Sequence, residues 1–180
     1  LDGMEEIAKR SNSAFAVAES VQNAWDEDGV THVEVTLDPV PHSPMVDFTV
    51  VDNSPTGYAD LSDSYTCFRT SKKLQDAEKR GRFNLGEKLV LANAVTARID
   101  STGGTVTFDD RGRTRSRKKR DVGTKMTARL RMTREVYQEA LEFALRLIPP
   151  TGVTTVVNGV EVDSRLPIKT GEFSLETEVQ

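Results

Sequence analysis

The sequence predicts a two-layer α+β sandwich, in which helices cover one face of a mostly antiparallel sheet. Short segments of alternating apolar residues, separated by turn signals, predict the strands. Two segments with apolar residues at helical spacing predict the covering helices. With 180 residues, 37% of them hydrophobic, the chain can bury one core. We therefore expect residues 1–165 to form one domain. Residues 166–180 are expected to form a final strand, or a connector to a further domain.

The first helical segment lies within residues 5–28, where polar residues 11–13 predict a break and a new helix start. Phe15, Ala18, Val21 and Trp25 recur at the spacing of a buried helical stripe. This stripe is expected to pack on the sheet.

A polar row follows the same helix, because Glu19, Asn23 and Asp26 are separated by four and three residues and share a face. An amide oxygen is a suitable Mg²⁺ ligand, and a carboxylate one turn away can orient a water molecule. A solvated helix face is the alternative interpretation.

Two strands are predicted over residues 32–37 and 45–51, joined by a proline-rich connection. The second strand leads into a polar turn that runs from Asp52 to Gly57. Ligand contacts are often made where a strand leaves a sheet, so this turn is a candidate binding segment.

The next segment, residues 58–79, is polar and predicts a short helix and a mobile connection that could act as a lid. A glycine-containing loop from Gly81 to Gly86 then leads into a helix over residues 87–93. Free backbone N–H groups at such a helix start favour phosphate, and Lys88 could add a positive charge. The loop alone is a weak signal.

The second half of the chain predicts an antiparallel meander of four strands. Three of them lie at residues 94–100, 105–108 and 124–132, and a possible further strand runs through the basic segment at residues 111–120. An amphipathic helix starts at Thr133 and is stopped by Pro149. Its predicted core stripe comprises Val136, Tyr137, Ala140, Leu141, Ala144, Leu145 and Ile148. An Asn158-Gly159 turn then predicts a hairpin.

The charge is unevenly distributed. Residues 111–120, which begin at Arg111 and end at Arg120, hold seven basic side chains and no acidic one. The net charge is −4, which leaves −11 for the remaining residues. The basic run predicts either a nucleic-acid contact or a solvated hairpin strand, because its arginines alternate along the chain.

The composition argues against a disulfide-linked, a zinc-binding or a membrane-spanning protein. The single cysteine permits no internal disulfide, and with two histidines it does not form a zinc-ligand cluster. No apolar run is long enough for a membrane span and no signal-like start is present, so a cytoplasmic location is expected.

Four motifs occur in a specific order: the polar helical row, the turn after residue 51, the loop before Lys88, and Gly123-Thr124 at a strand start. This order resembles the GHKL ATPase superfamily, which includes gyrase B, Hsp90, MutL, MORC proteins and histidine kinases. The resemblance covers most of the chain and implies the Bergerat-type fold. The segment around Phe68 is more similar to MORC or phage rIIA-type members than to gyrase.

The resemblance implies a role for each matching residue. Glu19 matches the general base that activates water, Asn23 matches the Mg²⁺ ligand, and Asp26 belongs to the same motif. Asp52 matches the acceptor for the adenine amino group, and Gly57 matches the glycine that approaches the base. The remaining matches to nucleotide-binding positions are Thr124, at the adenine end, and Gly81, Phe83, Asn84, Leu85, Gly86 and Lys88, in the lid and phosphate loop.

The implied function is ATP binding with Mg²⁺-dependent hydrolysis, coupled to lid closure and homodimerisation. Hydrolysis is expected to be weak in this chain by itself, because the lysine that reaches the γ-phosphate in gyrase-like members comes from a following domain. Ser54 and Asn84 stand where the family usually has glycine. These departures leave open a nucleotide-gated interaction module without turnover, and the basic run leaves open a nucleic-acid-binding domain.

Overall fold

The computed structural model describes residues 13–58, 61, 90 and 94–164. Within them lie two helices and eight strands. The helices are α1 (Ser13–Trp25) and α2 (Arg134–Arg146). The strands are β1 (His32–Pro39), β2 (Met45–Asp52), β3 (Ala94–Ser101), β4 (Gly104–Asp109), β5 (Gly112–Ser116), β6 (Lys125–Arg131), β7 (Thr154–Val157) and β8 (Val160–Glu161).

The strands form a single sheet in the order β5-β4-β3-β6-β2-β1-β7-β8. All neighbouring pairs are antiparallel except β1 and β7, which are parallel. The mostly antiparallel sheet is therefore confirmed. The meander is confirmed only for β3, β4 and β5, since β6 pairs with β3 and β2 instead of β5.

Alternation along the strands creates one apolar face. Every second residue of β2 is buried, and Phe48, at its centre, is fully enclosed. The same face carries buried residues from the neighbouring strands: Val33, Val35, Leu37, Ile99, Met126, Ala128 and Leu130. Helix α1 packs against β1, β2 and α2, so the helices lie over this face.

Helix α1 is more deeply enclosed than a one-sided stripe requires. Val17 and Val21 are fully buried, and Trp25 Nε1 donates a 2.9 Å hydrogen bond to Thr155 Oγ1. The prediction that Phe15 belongs to the buried stripe is wrong, because its side chain is 49% exposed. Phe15 lies in the first turn of α1, whereas the enclosed contacts begin at the next residue.

Helix α2 confirms the predicted start at Thr133, whose side chain caps the helix by accepting from Val136 N. Ala140 and Ala144 are buried, but the predicted core positions Leu145 and Ile148 are 37% and 45% exposed. The helix ends at Arg146, before the prolines, so Ile148 lies beyond the helical stripe.

The hairpin at Asn158-Gly159 is confirmed, and both turn residues have positive φ. The Asn158 side chain also accepts from Leu37 N and donates to Leu37 O, at 2.8 and 3.1 Å. It thereby extends the contact between β1 and the hairpin. The predicted lid (58–79), glycine loop (81–86), helix (87–93) and C-terminal connector (166–180) lie outside the described residues, apart from residues 58, 61 and 90.

The core position of Phe48 yields a stability prediction. Phe48→Ala removes a fully buried ring and should lower the free energy of unfolding by about 3–5 kcal/mol. Phe143→Ala, at a site that is 45% exposed, is the matched control and should change it by no more than about 0.5 kcal/mol. Urea denaturation of both variants measures the difference, and equal losses would contradict the assigned core.

Candidate functional site

A small cavity lies between α1 and the neighbouring strands β2 and β6. It is lined by Ser20, Asn23, Ala24, Val50, Asp52, Tyr58, Thr124 and Met126. The fold thus brings together three residues selected from the sequence, namely Asn23, Asp52 and Thr124. Its volume is about 20 Å³, which is on the scale of one water molecule.

Asp52, the last residue of β2, is the acidic group of the cavity. Its Oδ1 accepts hydrogen bonds from Ser54 N at 2.9 Å and Thr124 N at 3.2 Å. Among the described residues both bonds fall on Oδ1, which leaves Oδ2 for a donor on a ligand. Burial raises the pKa of Asp52 to about 6, and the two backbone donors oppose part of that rise. At neutral pH the group is therefore mainly a carboxylate, which accepts hydrogen bonds.

Asn23 is the unusual polar group of the cavity. Its side chain is buried, and neither amide atom has a hydrogen-bond partner among the described residues. An unsatisfied buried amide costs stability and calls for an explanation such as a bound ligand or ion. The amide oxygen is a hard donor of the kind that Mg²⁺ accepts, so this residue fits the metal role expected for it.

Glu19 lies one helical turn before Asn23 and is half-buried. Burial raises the pKa of Glu19, and the negative charge of Asp26 raises it further. Asp26 itself is buried just after the end of α1. A carboxylate with a raised pKa is a stronger base, which is the property that water activation requires.

Gly57 lies beside the cavity with φ at 54°, a conformation that favours glycine. A Cβ at this position would lie 2.6 Å from Ser101 Oγ and 3.1 Å from Gly123 O. The close approach of three chain segments therefore depends on the missing side chain. Thr102 Oγ1 also donates a hydrogen bond to Thr56 O in this region.

Ser101 was not identified from the sequence, yet it is fully buried at this junction. Its Oγ accepts from Tyr58 N at 2.8 Å and lies 3.2 Å from Thr124 Oγ1. Ser101 therefore connects the turn after β2 to the start of β6. Next to Thr102 and two glycines it resembles an ordinary turn residue, so the local sequence carries no signal for this role.

Ser54, the first departure from the family pattern, has a definite structural function here. It is fully buried, and its Oγ donates a 2.8 Å hydrogen bond to Asp28 O. This bond ties the turn after β2 to the segment that follows α1. The second departure, Asn84, lies outside the described residues together with Gly81, Phe83, Leu85, Gly86 and Lys88.

The raised pKa of Asp52 predicts a pH-dependent stability. Because the folded state holds this proton more tightly than the unfolded chain, the wild type should gain stability relative to Asp52→Asn as the pH falls through about 6. The shift from 3.8 to about 6 limits the gain to about 3 kcal/mol. Urea titrations between about pH 7.5 and about pH 4.5 measure it.

Asp47→Asn is the control for that titration. A hydrogen bond from Arg129 lowers the pKa of Asp47, so its contribution is complete above the ordinary carboxyl range and stays constant over these pH values. If the free energies of unfolding of the wild type and Asp52→Asn change in parallel as the pH falls, then the pKa of Asp52 is not raised in the folded state.

Comparison with known proteins identifies the fold. No protein-family model and no curated protein matches the chain. Among solved structures, the ATPase region of Saccharomyces cerevisiae topoisomerase II bound to ICRF-187 (dexrazoxane) has a TM-score of 0.58 and 10% sequence identity, over 82% of this chain. The ATPase and transducer domains of DNA topoisomerase II from Balamuthia mandrillaris have a TM-score of 0.55 and 14% identity, over 84% of this chain.

This chain spans 48% of the length of each of those structures.

Within the described residues, no helix is long and apolar enough to cross a membrane. At this level of identity the similarity concerns the fold, which agrees with the resemblance found in the sequence motifs. The chain therefore has the Bergerat-type fold of GHKL ATPases, with a mostly antiparallel sheet covered by helices on one face.

Proposed function

We propose that this chain is an ATP-binding domain that hydrolyses ATP with Mg²⁺. The observation that carries the proposal is the cavity that joins the buried carboxylate of Asp52 to the unpaired amide of Asn23. Its apolar wall, which includes Val50 and Met126, suits a flat ring, and the available carboxylate oxygen suits an amino group on the ring edge. Adenine has both features.

Phosphate would extend from this cavity toward the polar face of α1. Asn23 would hold Mg²⁺ through its amide oxygen, and the ion when bound would supply positive charge to the phosphates. Lys88 and the loop from Gly81 through Phe83, Asn84 and Leu85 to Gly86 belong to the same proposal as phosphate ligands. Support for the loop comes from the motif order and the fold.

Glu19 is the proposed general base. Its carboxylate takes a proton from water as the water oxygen bonds to the γ-phosphorus. The bond from that phosphorus to the bridging oxygen breaks, the electron pair leaves with ADP, and inorganic phosphate is released. The half-buried position of Glu19 and the neighbouring charge of Asp26 support this role, since both raise the pKa of Glu19.

Lid closure over residues 58–79 and ATP-dependent homodimerisation complete the proposal. Both rest on the family resemblance and on the similarity to topoisomerase II ATPase regions. An intracellular location is proposed with them, because the substrate is ATP. Residues 1–165 form the proposed ATP-binding domain, and residues 166–180 form the proposed connector.

Asp52→Asn should weaken ATP binding about 10- to 100-fold, because it replaces a charged acceptor for the amino group. Calorimetric titration with a non-hydrolysable ATP analogue and Mg²⁺ measures the affinity. Asp47→Asn is the matched control, since it makes the same substitution on the opposite face of β2 and should bind like the wild type. Equal affinity in all three proteins would exclude Asp52 from the binding site.

Sedimentation of the same titrated samples tests dimerisation. A doubling of mass on saturation with the analogue is expected, and an unchanged monomer in the presence of bound analogue would contradict the coupling.

Glu19→Gln should retain analogue affinity and lose at least about 100-fold in ATP turnover, because it removes the base and keeps the shape. Phosphate release, measured with any downstream domain included, gives the rate. Turnover at the wild-type rate would exclude Glu19 as the base. Saturable binding without turnover in the wild type would instead identify a nucleotide-gated interaction module.

A further inference from the structure

The basic run at residues 111–120 lies on the sheet edge and is not part of the cavity. β5 is the edge strand of the sheet formed by the described residues, and all five of its residues are exposed. The run continues beyond the strand to Arg120, the only half-buried position within it. This edge is a surface on which positive charge is concentrated in an otherwise acidic chain.

Two arginines of β5 lie directly across from apolar residues of the neighbouring strand. Arg113 is paired with Phe108 and Arg115 with Val106 on β4. Acidic residues precede and follow the run but do not interrupt it.

Protection of a sheet edge does not explain the whole run. Charged side chains on an exposed edge strand discourage another strand from pairing with it. Four consecutive basic residues, from Arg117 to Arg120, follow the end of β5, where no ladder is left to protect. Like charges at this density repel one another, so the arrangement favours an anionic partner.

The geometry favours a partner with a regular row of charges. Alternate residues of a strand project on the same face about 7 Å apart, so Arg113 and Arg115 form a linear array. A nucleic-acid strand carries one phosphate about every 3.4 Å of helix axis, and guanidinium groups bind phosphate through two parallel hydrogen bonds.

The segment after β5 is also held in place. Arg120 N donates a 3.1 Å hydrogen bond to Ser101 O, and Gly123 N donates a 2.8 Å bond to Ser54 O. These bonds fix the end of the run against the rest of the fold. A positioned array loses less conformational freedom on binding than a free tail of the same composition.

We propose that the edge formed by residues 111–120 binds the phosphate backbone of nucleic acid, without reading its base sequence. The β5 part of this surface is separate from the cavity, since β3 and β4 lie between β5 and β6. Arg120, at the other end of the run, lies nearer to the cavity, because its N–H is bonded to Ser101 O and its charge lowers the pKa of Asp52.

Fluorescence anisotropy with a short labelled DNA duplex of mixed sequence, its single strand and the matching RNA tests the proposal. The wild type should bind at least one of them, with an affinity that falls steeply between about 50 mM and about 200 mM salt. Arg115→Gln combined with Arg117→Gln removes two exposed charges and should reduce the salt slope on the duplex by about 1.8.

Arg131→Gln combined with Arg134→Gln is the matched control, because it removes two exposed positive charges elsewhere on the chain. It should bind nucleic acid like the wild type. Absence of binding by the wild type, equal losses in both double variants, or equal competition by polyglutamate would overturn the proposal. Titration of the ATP analogue into the Arg115/Arg117 variant should give the wild-type affinity, so this test does not depend on the nucleotide site.

Discussion

The close contact between the end of β2 and the start of β6 is the constraint on which the candidate site depends. A Cβ on Gly123 would lie 1.9 Å from Asp52 O, so only glycine allows the two backbones to approach this closely. Hydrogen bonds cross the contact in both directions, from Asp52 N to Thr124 O and from Thr124 N to Asp52 Oδ1. The buried carboxylate is thereby fixed in position and stripped of most of its water.

The candidate site contains buried polar groups that lower the stability of the folded state. Asp52 is buried with a raised pKa, and Asn23 is buried without partners among the described residues. Each arrangement lowers stability, and a surrounding apolar core that includes Val21, Phe48 and Val50 compensates for them. Buried polar groups that reduce stability, within a core that is otherwise well packed, are typical of binding and catalytic sites.

The acidic side chains of the candidate site and the basic run lie at different places in the fold. Asp52 lines the cavity between α1 and the centre of the sheet, and Glu19 and Asp26 lie in α1 and just after its end. The basic run lies at the β5 edge, two strands away from β6. The segment from Arg120 to Gly123 nevertheless connects them, because it is hydrogen-bonded to both Ser101 and the turn after β2.

Sequence by itself determined the features that depend on neighbouring residues. Apolar alternation located the strands, helical spacing located α1 and α2, and the Asn158-Gly159 pair located the last hairpin. The order of short polar motifs also selected Asn23 and Asp52, which the fold brings to one cavity.

Tertiary structure decided which strands pair and which groups lose their water. The placement of β6 between β3 and β2, the parallel pairing of β7 and the burial of Ser101 all depend on residues far apart in the chain. A periodic pattern predicted that Phe15 and Ile148 are buried, but both are exposed because the packed layer ends before it reaches them. The physical reason is that local periodicity specifies a direction for each side chain, whereas burial, strand partners and pKa are set by what the rest of the chain places there.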